Sequence, residues 1–134
     1  MDPAKARDFP FIRKRAANLF SKSRFIAAQF EAYFDGGLWL ETARHANAMA
    51  RRLAGHIRAS TNARLAWEPE ANEVFPVVRL DAVDRLKAEG AAFYPWSTPH
   101  RLTREIGADE TLCRLVTSFA TTAEEVDRFG DLIG

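Results

Sequence analysis

The sequence predicts an α+β chain, with N-terminal helices followed by a small, mainly antiparallel sheet that helices cover. Three observations carry that expectation. An apolar spacing of 4,3,4,3,4 runs through residues 38–59, which is the recurrence of a helix. Beyond Ser60-Thr61-Asn62 the apolar period falls towards two, the alternation of strands. The strand-like stretches are short and alternate with further helical patterns, which suits helices packed on one face of a sheet. At 134 residues and 47% hydrophobic, with ten Phe and three Trp, the chain has enough apolar side chain for a core.

The elements follow in order. Phe11, Ile12, Ala16, Leu19 and Phe20 recur helically, so a first helix is expected from about Ala4 to Phe20. A second, Arg24 to Phe34, places Phe25, Ala28 and Ala32 on one face, and Asp35-Gly36-Gly37 breaks it because paired glycines make continuation costly. The third is the clearest: Trp39, Ala43, Ala46, Ala50, Leu53 and Ile57 form one stripe over residues 38–59. Ala63–Trp67 and Asn72–Val78 read as strands. Pro76 cannot donate to a ladder, so the second of these is expected at an edge or with a bulge. Asp81 is expected to cap a helix reaching Glu89, with Val83 and Leu86 inward and Gly90 closing it. Ala91–Trp96 is another strand, and a polar connection containing His100 leads to the strand at 111–119. In Thr121-Thr122-Ala123-Glu124-Glu125 either threonine has a glutamate three residues on, a capping-box start for the last helix.

Composition narrows the function classes. No stretch of 18 apolar residues exists, so no membrane span is expected. The N-terminal residues carry no apolar signal core and Cys113 is the single cysteine; both fit a cytoplasmic chain without an internal disulfide or a cysteine-rich zinc site. The net charge of +1 conceals an asymmetry: Met1–Arg24 holds seven Lys or Arg against two Asp, and Glu105–Gly134 holds seven Asp or Glu against two Arg. The basic start suits an anionic partner such as nucleic acid, a phosphate group or an acidic subunit surface, and equally a solvated helix face.

The residue that asks for an explanation is Arg114, inside Thr-Leu-Cys-Arg-Leu-Val-Thr-Ser-Phe at 111–119. Alternation puts Cys113, Leu115, Thr117 and Phe119 on the better core face and Leu112, Arg114, Val116 and Ser118 on the other. A guanidinium keeps its proton, and its planar fork matches a carboxylate. Alternation leaves three readings open: a solvated cation on an open face, a pair with an internal acid, or a site for a ligand's carboxylate or phosphate.

Other chemistry has weaker footing. His45 and His56 lie eleven residues apart on one helix, about 16 Å at 1.5 Å per residue, too far for one metal. A Ser118–His100–Asp arrangement lacks a nucleophile-elbow context. Cys113 on the apolar strand face reads as core. Asn72 and Tyr94 are candidates for an active-site edge or for packing at the edge of the core, and His45 and Asn47 for solvated or subunit-contact positions.

Five stretches in order carry a resemblance. They are Ser21-Lys22-Ser23-Arg24-Phe25-Ile26-Ala27-Ala28-Gln29; Trp39-Leu40 through Arg44-His45-Ala46-Asn47-Ala48-Met49-Ala50; Ala71-Asn72-Glu73-Val74-Phe75; Phe93-Tyr94-Pro95-Trp96; and the strand at 111–119 continuing through Thr122 to Glu125-Val126-Asp127. Together they resemble the low-specificity L-threonine aldolases, from about Asp8 to Ile133. The resemblance implies the C-terminal part of a pyridoxal-5'-phosphate enzyme of the aspartate-aminotransferase fold type, a lyase that splits a β-hydroxy-α-amino acid such as threonine into glycine and an aldehyde. It implies that Arg114 grips the substrate carboxylate. It also implies that Arg24, and less directly Lys22, belong to the site of the cofactor phosphate, presented across a subunit interface.

The resemblance also defines what this stretch lacks. Full-length relatives carry a large α/β domain first, with the Schiff-base lysine in a Ser-Phe-Gly-x-Thr-Lys-Asn-Gly-like segment. Here the lysines are Lys5, Lys14, Lys22 and Lys87, none in such a setting. On this reading no catalytic residue lies in the chain, residues 1–60 link to a missing N-terminal large domain or partner chain, and residues 61–134 form the small C-terminal domain. A homo-oligomer acting on a small amino acid is expected, and no aldolase activity from this chain alone. The competing reading is a non-enzymatic interaction module using the basic, aromatic-containing N-terminal helix on nucleic acid or protein.

Overall fold

The computed structural model describes residues 3–19, 21–98 and 104–134. The chain divides into two compact units, Met1–Trp39 and Leu40–Gly134. The first contains α1 (Pro3–Ala6), α2 (Phe9–Arg15) and α3 (Ser23–Phe34). The single helix expected over 4–20 is two short ones, because Pro10 at the start of α2 has no N–H to give a preceding turn and therefore begins a helix instead of continuing one. Phe20 lies outside the described residues. No residue of α2 or α3 is buried. A 3-10 turn at Asp35–Gly37 ends α3 where the paired glycines stand, with Gly36 and Gly37 both at positive φ (59° and 80°).

The long helix α4 (Leu38–Ala59) has the expected bounds. Within the second unit it buries Ala46, Ala50, Leu53, Ala54 and Ile57, while Trp39 and Ala43 from the predicted stripe are exposed. Because that buried stripe joins the core of the sheet, the second unit begins at Leu40, whereas the sequence reading divided the chain after residue 60.

The sheet is antiparallel throughout: β1 (Ala63–Leu65), β2 (Glu73–Val74), β3 (Pro76–Arg79), β4 (Tyr94–Pro95) and β5 (Glu110–Val116). β5 organises it. Glu73↔Val116, Val74↔Leu115 and Val77↔Leu112 share one register, so β2 and β3 run as one line along β5 with an interruption at Phe75. β1 pairs beyond β3, and β4 pairs with β5 through Tyr94↔Arg114 and Pro95↔Cys113. Pro76 therefore sits in an interior strand, correcting the edge expectation. It is the first residue of β3, where a missing N–H interrupts least.

Three helices cover one face. Ala50, Leu53 and Ile57 of α4, Val83 and Leu86 of α5 (Leu80–Ala88), and Val126 and Ile133 of α6 (Ala123–Ile133) meet Val74, Val78, Cys113 and Leu115 of the strands. Asp81 is not the N-cap of α5, since Arg79 holds that position; its carboxylate accepts from the Ala82 N–H (2.9 Å) and from Arg79. Gly90, φ 93°, follows α5 as expected. At α6 the choice between threonines resolves to Thr122: its hydroxyl accepts from the Glu125 N–H (3.2 Å), and Glu125 Oε2 accepts from the Thr122 N–H (2.9 Å). Among the described residues no helix is long and apolar enough to cross a membrane.

Candidate functional site

The other face of the sheet is the one Arg114 occupies. Cys113, Leu115 and Thr117 are buried, Arg114 and Val116 are exposed, and so the pleat separates neighbouring residues as the alternation predicts. Two residues depart from the expected face assignment: Leu112 is buried although it shares Arg114's side, next to Val77, its register partner and also buried, and Phe119, expected on the core face, is exposed because β5 ends at Val116 and the alternation ends with it.

Register determines Arg114's neighbours. Tyr94 of β4 is directly opposite, and Trp96 lies two residues further along the same line, reached by its N–H donating to the Leu112 carbonyl (2.8 Å). On β2, Glu73 opposes Val116, which makes it a diagonal neighbour of Arg114 on the same face. The side chains use these placements. The Arg114 guanidinium lies over the Trp96 ring, 4.3 Å from its centroid. Glu73 Oε1 stands 3.6 Å from Nη1, an ion pair longer than a hydrogen bond, with both side chains open to solvent (40% and 45%). Trp96 tilts against Phe75 (6.2 Å), and Phe75 against Trp67 (4.6 Å), so an aromatic row flanks the cation. Tyr94, 82% exposed, stands free of that row.

This resolves the three readings of Arg114 in part: it is both on an open face and beside an internal acid. The pair differs from the other arginine–carboxylate contacts of the sheet and helices. Arg52 donates twice to Asp127 (2.6 and 2.6 Å), Arg79 twice to Asp81 (3.0 and 3.1 Å), Arg58 twice to Glu68, and Arg64 to Glu110 (2.6 Å). Those arginines spend their fork on internal acids. Arg114, stacked and only loosely paired, makes no side-chain hydrogen bond among the described residues and stays open to solvent.

Trp96 and Glu73 carried no role in the sequence reading, although both fall in stretches quoted for the resemblance. Counting by twos from Arg114 could not find them, because Glu73 lies on β2 and Trp96 just beyond β4, and the sequence does not state the register of either strand.

The remaining candidates fall elsewhere. Arg24 and Lys22 are in the first unit, at the start of α3. Lys22 is the N-cap residue and its side chain makes no capping bond, Arg24 lies over the Phe25 ring (4.9 Å), and no acid stands in the first turn. Asn72 is structural: its side chain donates to the Thr117 carbonyl (2.7 Å), and its own carbonyl accepts from Thr117. His45 is not a free surface group, since its Nε2 donates to the Thr121 carbonyl (2.7 Å). His56 donates to Asp127 (2.9 Å), which Arg52 also grips; the Arg52 and His56 hydrogen bonds hold that carboxyl far below the usual carboxylate range. Cys113 is buried, and burial pushes its thiol up to about 11, so it is not poised as a nucleophile. His100 lies outside the described residues. Among those that are described, no group of three or more His, Cys, Asp or Glu is arranged to hold a metal.

No family model matches the chain. The low-specificity L-threonine aldolase of Pseudomonas sp. (strain NCIMB 10558) is 32% identical over 116 residues, and that of Pseudomonas aeruginosa 34% over 116. In both cases the match takes in 78% of this chain and 34% of the relative, so the chain spans about a third of their length. Among solved structures, the threonine aldolase of Leishmania major superposes with a TM-score of 0.66 at 28% identity, over 78% of this chain and 28% of that one. Sequence and fold together make this chain a homologue of the threonine aldolases over most of its own length and roughly a third of theirs.

Proposed function

We propose that this chain is the C-terminal portion of a pyridoxal-phosphate-dependent lyase that splits a β-hydroxy-α-amino acid, such as threonine, into glycine and an aldehyde. The observation that carries the reading is Arg114, a cation on an open sheet face with its plane held by Trp96 and its donor edge uncommitted, within a chain homologous to threonine aldolases. In this role Arg114 receives the substrate's α-carboxylate through paired N–H donors, which fixes the orientation of the bonds at the α-carbon.

The start of α3 fits an anionic group. Two cations, Lys22 and Arg24, flank a helix terminus with no side-chain cap and no acid in its first turn; the Phe25 N–H is bonded to the Lys22 carbonyl (3.1 Å), which leaves the Ser23 and Arg24 N–H groups for a phosphate. Pyridoxal phosphate, when bound, supplies the electron sink that makes breaking the Cα–Cβ bond feasible. In that enzyme Arg24 and Lys22 would hold its phosphate across a subunit interface, and Arg114 would hold the substrate.

The Schiff-base lysine is assigned to polypeptide outside this chain. Lys14 and Lys22 are exposed in the first unit, and the Lys87 ammonium lies 5.8 Å over the Phe93 ring, with Phe93 in the core on the helical side of the sheet. The chain by itself is accordingly inactive, and it works in the cytoplasm as part of a homo-oligomer with a large cofactor-binding domain. A nucleic-acid role for residues 11–24 rests on composition alone and is not favoured.

Co-expression with the N-terminal two thirds of a low-specificity threonine aldolase tests the reading. The two chains together should co-purify, bind pyridoxal phosphate and release glycine from threonine. A folded, soluble pair that never associates would overturn it.

A further inference from the structure

Among the described residues of the second unit five arginines meet a carboxylate, and four of them, Arg52, Arg58, Arg64 and Arg79, hydrogen-bond to it. Arg114 and Glu73 stop at 3.6 Å, although both lie on the same open face and neither is confined by burial. The guanidinium plane is instead held by the Trp96 ring, 4.3 Å away. Stacking covers a face of the guanidinium and leaves its N–H edge in the plane, so the stack and the acid compete for different parts of the group. Glu73 thus stands close enough to neutralise the cation electrostatically and too far to occupy its donors.

Building on the carboxylate-binding reading of Arg114, we infer that Glu73 is a placeholder carboxylate, exchanging with the incoming ligand's carboxylate at Arg114, and that Trp96 is the positioning residue that keeps the guanidinium edge presented during the exchange. The ligand class is a monocarboxylate. A ligand carboxylate can supply two oxygens to the fork, which Glu73 at its present distance does not, so exchange replaces one long contact by two hydrogen bonds. Glu73 also sets a selectivity: it remains beside the site as a negative charge and disfavours a second acidic group on the ligand. Removing its charge therefore strengthens binding of a simple carboxylate and narrows the discrimination against dicarboxylates.

The test uses the 134-residue chain, with the Arg114 side-chain N–H resonance assigned by comparison with Arg114→Lys. Acetate and succinate are titrated separately, at constant ionic strength made up with chloride. Glu73→Gln is expected to lower the half-saturation concentration for acetate by about threefold, the scale of an exposed charge pair, and to improve succinate more than acetate. Trp96→Leu should raise it in either background, with the backbone amide spectrum unchanged as the check on folding. If Glu73→Gln binds both anions as the parent does, the placeholder role is overturned while the Arg114 reading stands. If neither protein responds to acetate at Arg114, the carboxylate-binding reading itself fails, and the placeholder role with it.

Discussion

Cys113 and Arg114 are adjacent on β5, and the pleat gives them opposite chemistry. Cys113 faces the helices and is fully buried, and its thiol is pushed up to about 11 by loss of water. A raised thiol pKa contributes stability below the ordinary thiol value, and that contribution is lost as pH climbs towards 11. At pH 8 the thiolate fraction is correspondingly small. Alkylation by iodoacetamide at pH 8 should be at least about a hundredfold slower in the folded chain than in urea. Equal rates would place Cys113 at the surface. Arg114, on the far side, was legible as an outward-facing cation from alternation alone. Its setting was not, because Trp96 and Glu73 stand 18 and 41 positions before it in the chain, and only the pairing of β4 and β2 with β5 brings them near.

At the scale of elements, local signals carried most of what could be read. The apolar stripe located α4 to the residue, the glycine pair located its start, and Thr122–Glu125 located α6. Two-residue strands such as β2 and β4 have no periodicity of their own; their extent is set by β5, far along the chain, and so their bounds were overestimated. The α4–α6 seam was also hidden. Arg52 and His56 are four apart on α4, on one face, and both reach Asp127 of α6. Asp127 has a depressed carboxyl, so its contribution to stability is present above the usual carboxylate range and is lost as pH falls through and below it. Asp127→Asn should therefore lower stability at neutral pH and flatten the fall of denaturation midpoint between neutrality and pH 3, measured in urea. An unchanged pH profile would mean that the seam carries no such linkage. The same seam requires Gly130, because a Cβ there would come within 2.3 Å of the His56 ring. Gly130→Ala should cost about 1–3 kcal/mol by urea denaturation, largely recovered in the Gly130→Ala, His56→Ala double variant. A neutral Gly130→Ala would show that the ring simply turns aside.

For the whole molecule, the two units differ in what they bury. The second has a continuous core with helices on one side of the sheet. The first exposes Phe9, Phe11, Phe25, Phe30 and Phe34 and buries nothing in α2 or α3, a composition that suits contact with further polypeptide. That further polypeptide is also what the proposed chemistry needs, since the chain matches about a third of each Pseudomonas relative. The α+β class was legible in the change of apolar period after residue 60, and the family likeness in five short stretches that keep their order. The pairing that turns those stretches into one face around Arg114 is a property of the folded sheet.

The most direct measurement is made on a protein joining the N-terminal two thirds of a low-specificity threonine aldolase to this chain. Its kcat/KM for threonine and for threonine amide, which lacks the carboxylate, is compared between the parent and Arg114→Leu. The account predicts a loss of about a hundredfold or more on threonine, mostly as raised KM, and little change on the amide. Equal losses on both substrates, or none on threonine, would contradict a carboxylate-binding Arg114.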